Sequence, residues 1–267
     1  MRVNDLIQRF LKFAPAKIAV KGDPIGLQLG SLAAPVHRVM TTLDVRPEVV
    51  DEAIQKHVDL IFAHHPAMFH PVHSFNLAVP QNQMYAKILA HHINVYAAHS
   101  NLDSANGGMN DWLAAQIHLT RVQGLVPAYR DARASYSMGR VGELPHPVSV
   151  IQFAERCKKI FNVQGLRLVS QHPHQQIHRV AILGGSGDQF YPEALRNHAQ
   201  VYVTGDVYYH TAHGMLANGL SVIDPGHHIE AICIPRLAQL FQKWSRQFHW
   251  PIQVIQSQVN TDPFTFL

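Results

Sequence analysis

Cysteine is almost missing. Cys157 and Cys233 are the only two in 267 residues, and their separation leaves out a disulfide framework and a thiolate metal centre. Charge is scarce as well, at 15% against 47% hydrophobic, so the chain has the composition of a folded core and not of a disordered polymer. No run of 18 apolar residues occurs, which excludes a membrane-spanning helix by the usual length criterion. The opening MRVNDLIQRFLKF carries charges where a secretory leader would be apolar. The expectation is a cytoplasmic protein with no membrane partner. Its length suits one large domain or two closely packed lobes.

What is present in excess is histidine, with 20 residues. Such a count raises the chance of a metal site and equally raises the background of histidines without one, so only position is informative. The net charge of +4 and pI near 9.1 invite a polyanionic partner. The Lys and Arg residues are scattered, however, with Arg130, Arg133 and Arg140 the nearest approach to a cluster. Nucleic acid is therefore a weakly supported partner, and a solvated surface is the plainer expectation.

From His37 onward, apolar strands alternate with amphipathic helices. HRVMTTLD reads as a strand, PEVVDEAIQKH as a helix opening on Pro47, and DLIFAHH as the next strand. QNQMYAKILAHH (helix), INVYAAH (strand) and NDWLAAQIH (helix) follow. Regularity lapses between about Leu119 and Pro147. A second series then runs through the helix PVSVIQFAERCKKIF, the strand HRVAILGGSG, the strand AQVYVTGD, the helix YYHTAHGMLANG and the strand LSVIDPGHH. A long helix from about Ile229 to Phe248 and the strand IQVIQS complete it. Such alternation predicts an α/β fold of two packed, intertwined lobes with largely parallel sheets. The lobes are expected at about residues 1–125 and 126–267, with no inserted extra domain.

Parallel α/β sheets gather ligands beyond the carboxyl ends of their strands. Those ends read Asp44, His64-His65, His99 to Asp103, Gly184 to Gly187, Thr204-Gly205-Asp206 and Asp224 to Glu230. Five of these six carry His or a carboxylate, whereas His57, His118, His146, His172 and His198 fall on helices and loops. Adjacent side chains on an extended chain point to opposite faces, so His64 and His65 suit two ions of a pair better than one; the plainer alternative is a polar strand end bonded to loops. Asp103 is either a carboxylate ligand, with His99 behind it, or a turn and cap residue. His227 and Glu230 are three apart on an expected first helical turn, a mixed N/O pair suited to Zn, Fe, Mn or Co. Glu230 as a first-turn acid complementing the helix dipole is the alternative. GGSG could cradle an anion, though a turn is the simpler account. Asp206 and His210, in TGDVYYH, could orient a ligand or position water.

Taken in order, IGLQLG (25–30), TTLDVRPEVVDEAI (41–54), AHHPAMF (63–69), AHSNLDSANGGMND (98–111), GGSG (184–187), VTGDVYYHTAH (203–213) and DPGHHIE (224–230) resemble one family across nearly the whole chain. It is the Ngg-interacting-factor-like family of dinuclear-metal proteins, many known as GTP cyclohydrolase type 2 homologues. The resemblance implies two divalent ions at strand ends between the lobes. His65 and Asp103 would hold one, His64 and His227 the other, and Glu230 would bridge both, with His228 the alternative to His227. It implies a homohexameric ring with the sites facing an internal cavity. KGDPIGLQLG departs from the family pattern, lacking the Trp often found just before the glycine.

Paired ions lower the pKa of water toward neutrality and clamp an attacked oxygen. That chemistry fits opening of a purine nucleotide at its imidazole C8 with loss of formate, and equally hydrolysis of a phosphoester. His99, His210 and Asp206 are the candidates for moving protons or supporting ligands. The expected function is thus a metal-dependent hydrolase of nucleotide-like or phosphorylated substrates. Its rival is a non-enzymatic, ring-forming metal scaffold that engages nucleic acid or protein.

Overall fold

The computed structural model describes residues 1–267, which divide into two units. One comprises Met1–Leu102 with Ala231–Thr261, the other Asp103–Glu230 with Asp262–Leu267. The expected boundary near residue 125 therefore moves, for a topological reason: the last long helix and strand return to the first sheet. No helix is long and apolar enough to cross a membrane.

The first unit begins with α1 (Val3–Phe13), whose Val3, Leu6, Ile7 and Phe10 form a buried stripe at helical spacing. β1 (Gly26–Leu29) and β2 (Arg38–Thr42) follow, then α2 (Pro47–Gln55), which starts on Pro47 as the sequence predicts. β3 (Leu60–Ala63), α3 (Pro80–Ala90), β4 (Asn94–Ala97) and α4 (Ser100–Ser104) come next. β3 and β4 are buried at every position, the mark of strands covered on both faces.

The second unit contains α5 (Met109–Gln116), β5 (Thr120–Arg130), β6 (Ser135–Ser149), α6 (Val150–Ile160), β7 (Arg167–Val169) and β8 (Gln176–Ser186). It continues with α7 (Tyr191–Arg196), β9 (Val201–Gly205), α8 (Tyr209–Ala217) and β10 (Ser221–Asp224). Ser149 and Gln152 start α6 with a reciprocal capping box. A 3-10 turn, His227–Ile232, precedes α9 (Cys233–Phe248), so the long helix starts four residues later than expected. α9 and β11 (Gln253–Gln256) belong to the first unit.

The first sheet has the order β1-β4-β3-β2-β11, parallel except for β1 against β4. Its two faces are read off alternate residues. On one, Phe62 meets Phe10 of α1 and Phe241 of α9, each at 4.8 Å between ring centroids. On the other, Met40, Ile61 and Val95 pack with Val49, Val50 and Ile88 from α2 and α3.

The second sheet has the order β5-β6-β8-β9-β10-β7 and is mixed. Only β8-β9-β10 is parallel; β5, β6 and β7 run antiparallel to their neighbours. The irregular stretch of the sequence is thus a long two-stranded ribbon. One face of the sheet holds Val141, Ala181, Leu183, Tyr202 and Val222, packed with Ala194 of α7 and Met215 of α8.

Candidate metal centre

In the first unit the site is built at the ends of β2, β3 and β4. The β2–β3 ladder runs on past the strands, with His64 N donating to Thr42 O at 3.1 Å and His65 N to Leu43 O at 2.9 Å. His64 is fully buried, and His65 is 13% exposed at its side chain. Their rings are 4.9 Å apart at 42°. The alternation expected of an extended chain does not separate them, because β3 ends at Ala63 and the chain bends at the two histidines before Pro66. His99 completes the group, its ring 5.3 Å from His64 and 5.6 Å from His65. One nitrogen from each of the three lies within 4.8 Å of the others.

Each ring is oriented from behind. His64 Nδ1 lies 2.8 Å from Ala98 O, His65 Nδ1 2.7 Å from Asp44 Oδ1, and His99 Nδ1 2.9 Å from Asp23 Oδ1. All three partners are acceptors, so Nδ1 carries the proton and a neutral ring keeps its lone pair on Nε2. Asp44 is itself held by Thr261 Oγ1. Asp23 is 6% exposed and also accepts from Ser100 N and Ser100 Oγ. Burial pushes the Asp23 carboxyl up, but the bonds from His99 and Ser100 outweigh it and hold the group below its ordinary value of 3.8.

In the second unit the construction relies on loops. His227 and Glu230 sit on the 3-10 turn, where residues three apart eclipse one another. His227 Nε2 approaches Glu230 Oε2 at 3.1 Å, while its Nδ1 faces Asp206 Oδ2 at 2.7 Å. These contacts align the His227 imidazole with Glu230. Asp206 reaches it from a left-handed backbone, φ 55°, a conformation that costs a non-glycine residue about 1 kcal/mol or more. The loops carrying both residues are tied by buried Asp224, which accepts from Val207 N and Gly226 N and pairs with Arg167.

Gly184 and Gly185 explain the GGSG segment differently from an anion cradle. A Cβ on Gly185 would lie 2.7 Å from Glu230 Oε1, and one on Gly184 3.1 Å from the same atom. The missing side chains are the space that Glu230 occupies. Asp103, on α4, is 8% exposed. Its carbonyl accepts from Asn110 Nδ2 at 3.1 Å, and Asn110 Oδ1 accepts from Gly184 N at 3.0 Å. Buried Asn110 thus braces Asp103 and the glycine pair together. His210 is placed otherwise: it is exposed, with its ring 5.7 Å from Tyr208 and 5.3 Å from Tyr209.

The donors fit divalent metal binding by their chemistry. The first unit presents imidazoles through Nε2, and the second a buried carboxylate with no Cβ beside it and a His–Glu pair converging at 3.1 Å; each is of the borderline N/O chemistry suited to first-row ions. Asp23 and Asn110 escaped the sequence reading, and Asp44 entered it only as a strand end. Asp23 lies in a turn and Asn110 inside a helix, where only spatial proximity to a histidine or glycine distinguishes them.

The sequence pattern of the Duf34/NIF3 (NGG1p interacting factor 3) family matches residues 1–263. A Streptococcus pneumoniae protein named "GTP cyclohydrolase 1 type 2 homolog" is 39% identical over 267 residues, with 99% of both chains covered. A Listeria innocua protein of the same name is 31% identical, with 96% of each covered, over an alignment of 359 positions. That alignment exceeds the 267 residues of this chain, so the Listeria relative contains inserted sequence that is missing here. Among solved structures, a Bacillus cereus protein related to NIF3 superposes with a TM-score of 0.95 at 28% identity, covering 100% of this chain and 99% of that one. A Staphylococcus aureus protein does so with a TM-score of 0.93, also at 28% identity and with the same coverage.

Proposed function

The chain belongs to the Duf34/NIF3 (NGG1p interacting factor 3) family, and from that premise we propose that it is a dinuclear-metal hydrolase of a nucleotide-like or phosphorylated compound. His65 and Asp103 would hold one ion, His64 and His227 the other, with Glu230 shared. The observation that carries this is the common posture of the imidazoles: His64, His65, His99 and His227 all direct Nδ1 at an oxygen, which leaves Nε2 as the donor. When bound, such a pair of Zn, Fe, Mn or Co ions supplies an acidified water and neutralises charge on the attacked group. The chain's own contribution is orientation. Asp44 and Ala98 O fix the adjacent histidines, and Asp206 fixes His227. His99, backed by Asp23, is the imidazole placed to exchange a proton with substrate or water. The name shared by the curated relatives supports a nucleotide as substrate class, and the homohexameric ring implied by family resemblance is proposed with it.

The test begins with elemental analysis of the purified protein, where about two ions per chain are expected for a paired site. His65→Ala and Glu230→Ala should each reduce that to one or fewer. A panel of nucleotides and phosphoesters then asks for turnover that follows metal content. A metal-replete protein inert across that panel would sink the hydrolase assignment. It would favour a scaffold instead, recognisable by salt-dependent nucleic-acid binding that persists in Glu230→Ala.

A further inference from the structure

Phe69 lies beside the histidine cluster yet remains uncovered. It is 52% exposed, and its ring stands edge-on to His99, at 5.8 Å between centroids and 88° between planes. The chain just before it is anchored. Met68 N donates to Gln28 Oε1 at 3.1 Å, and Ala67 O accepts from Tyr85 Oη and from Gln81 Nε2. His99 is fixed from its far side by Asp23. Phe75, at 48% exposure in the same loop, packs toward Tyr85 instead. A phenyl ring is thus held at the rim of a polar donor cluster with half its surface in water, an arrangement that burial of apolar area would stabilise.

The ligand that uses both parts of this arrangement is planar and heteroaromatic. Its π face covers the phenyl ring, and its ring nitrogens or exocyclic oxygen meet the polar cluster. A simple phosphoester would use the cluster and leave Phe69 in water. We propose that Phe69 is a specificity-determining residue that stacks the base of the substrate beside His64, His65 and His99, so that base-bearing nucleotides, and not base-free phosphoesters, are the substrate class. The proposal rests on the metal-dependent nucleotide chemistry assigned above and narrows it.

Calorimetric titration of the full chain, both as purified and after zinc loading, tests it with adenosine and guanosine 5′-monophosphates against ribose 5-phosphate. The unaltered protein should bind at least one nucleotide more tightly than ribose 5-phosphate. Phe69→Ala should weaken that nucleotide by about tenfold, the scale of one base–aromatic stack, and leave ribose 5-phosphate unchanged, while Phe69→Trp restores the nucleotide. Three results overturn the assignment: no preference for a nucleotide in the unaltered protein, equal weakening of both ligand types in Phe69→Ala, or an altered sedimentation coefficient with unaltered nucleotide affinity. The last would place the ring between copies of the chain. Metal content of the same preparations separates the two levels of inference. Ions present with no base preference removes only the role of Phe69; ions absent removes the metal chemistry itself.

Discussion

The two units present candidate ligands by contrasting means. In the first, hydrogen bonding outlasts the strands: the β2–β3 ladder continues to His64 and His65 although the chain bends there, and their supports are a strand-end carbonyl and the carboxylate of Asp44. In the second, the chain departs from regular structure to achieve the same. Gly185 takes φ +66°, Asp206 takes φ 55°, and His227 and Glu230 sit on a 3-10 turn. Both units present their donors at the ends of parallel strands, but the second needs left-handed residues, a 3-10 turn and glycines that clear space for a carboxylate. The second construction is consequently more sensitive to backbone substitution, and the first to loss of its buried supports.

The sharpest way to break this contrast is Gly185→Ala. The new Cβ meets Glu230 Oε1 at 2.7 Å in a left-handed backbone, so a loss of about 2–3 kcal/mol is expected in urea unfolding, with weakened metal binding. A neutral outcome would show that Glu230 needs no reserved space.

A smaller effect comes from removing the carboxylates behind the histidines. Asp23 is 6% exposed and Asp206 43%, so Asp23→Ala should cost about 2 kcal/mol, by leaving Ser100 and His99 without their buried acceptor. Asp206→Ala should cost about 1 kcal/mol or less, because its ion pair is exposed and the loss comes mainly from alanine tolerating the left-handed φ of 55° less well than aspartate. Equal costs in thermal unfolding would erase the distinction between the two constructions.

The smallest effect is a pH dependence, and it belongs to the first unit. Burial pushes Glu52 up, but Lys56, Ser257 and Gln258 together hold it below its ordinary value of 4.5. A carboxyl lowered by folding stabilises the native state above its unfolded pKa and ceases to do so as pH falls through the folded value. Glu52→Gln should therefore cost on the order of 1 kcal/mol at neutral pH. The gap from the unaltered protein should close progressively below pH 4.5. A gap that persists unchanged into acid would show that the charge of Glu52 is not what secures Ser257 and Gln258.

Legibility in the sequence followed the same divide. The strands of the first sheet read as unbroken apolar runs, and Pro47 marked the start of α2, because parallel strands covered on both faces leave no other pattern. The β5–β6 ribbon was illegible. Gly124, Pro127, Gly139, Gly142, Pro145 and Pro147 interrupt it, and β5 is exposed at most positions, so neither face shows an alternation. Histidine-rich composition misled less once positions were compared. His57, His92, His118, His198 and His249 all take positive φ at helix ends, a place that glycine or asparagine usually fills. The strand-end histidines stood apart from that background. Their supporting groups did not, since Asp23 in a KGDP turn resembles any other turn aspartate until His99 is folded against it.

One topological detail bears on how the molecule is made. β11 is the only partner of the outer edge of β2, pairing Gln253 with Arg38 and Gln256 with Thr41. On the ribosome, all of residues 103–230 emerge before that strand exists. The later-encoded unit has residues 103–230 in hand first and lacks only Asp262–Leu267, while the earlier one waits with an open hydrogen-bonding edge, the kind of edge that recruits other chains. Closing so long a loop is slow. A nick or frameshift near the carboxyl terminus therefore wounds the amino-terminal unit, and chaperone dependence is expected to concentrate there during synthesis.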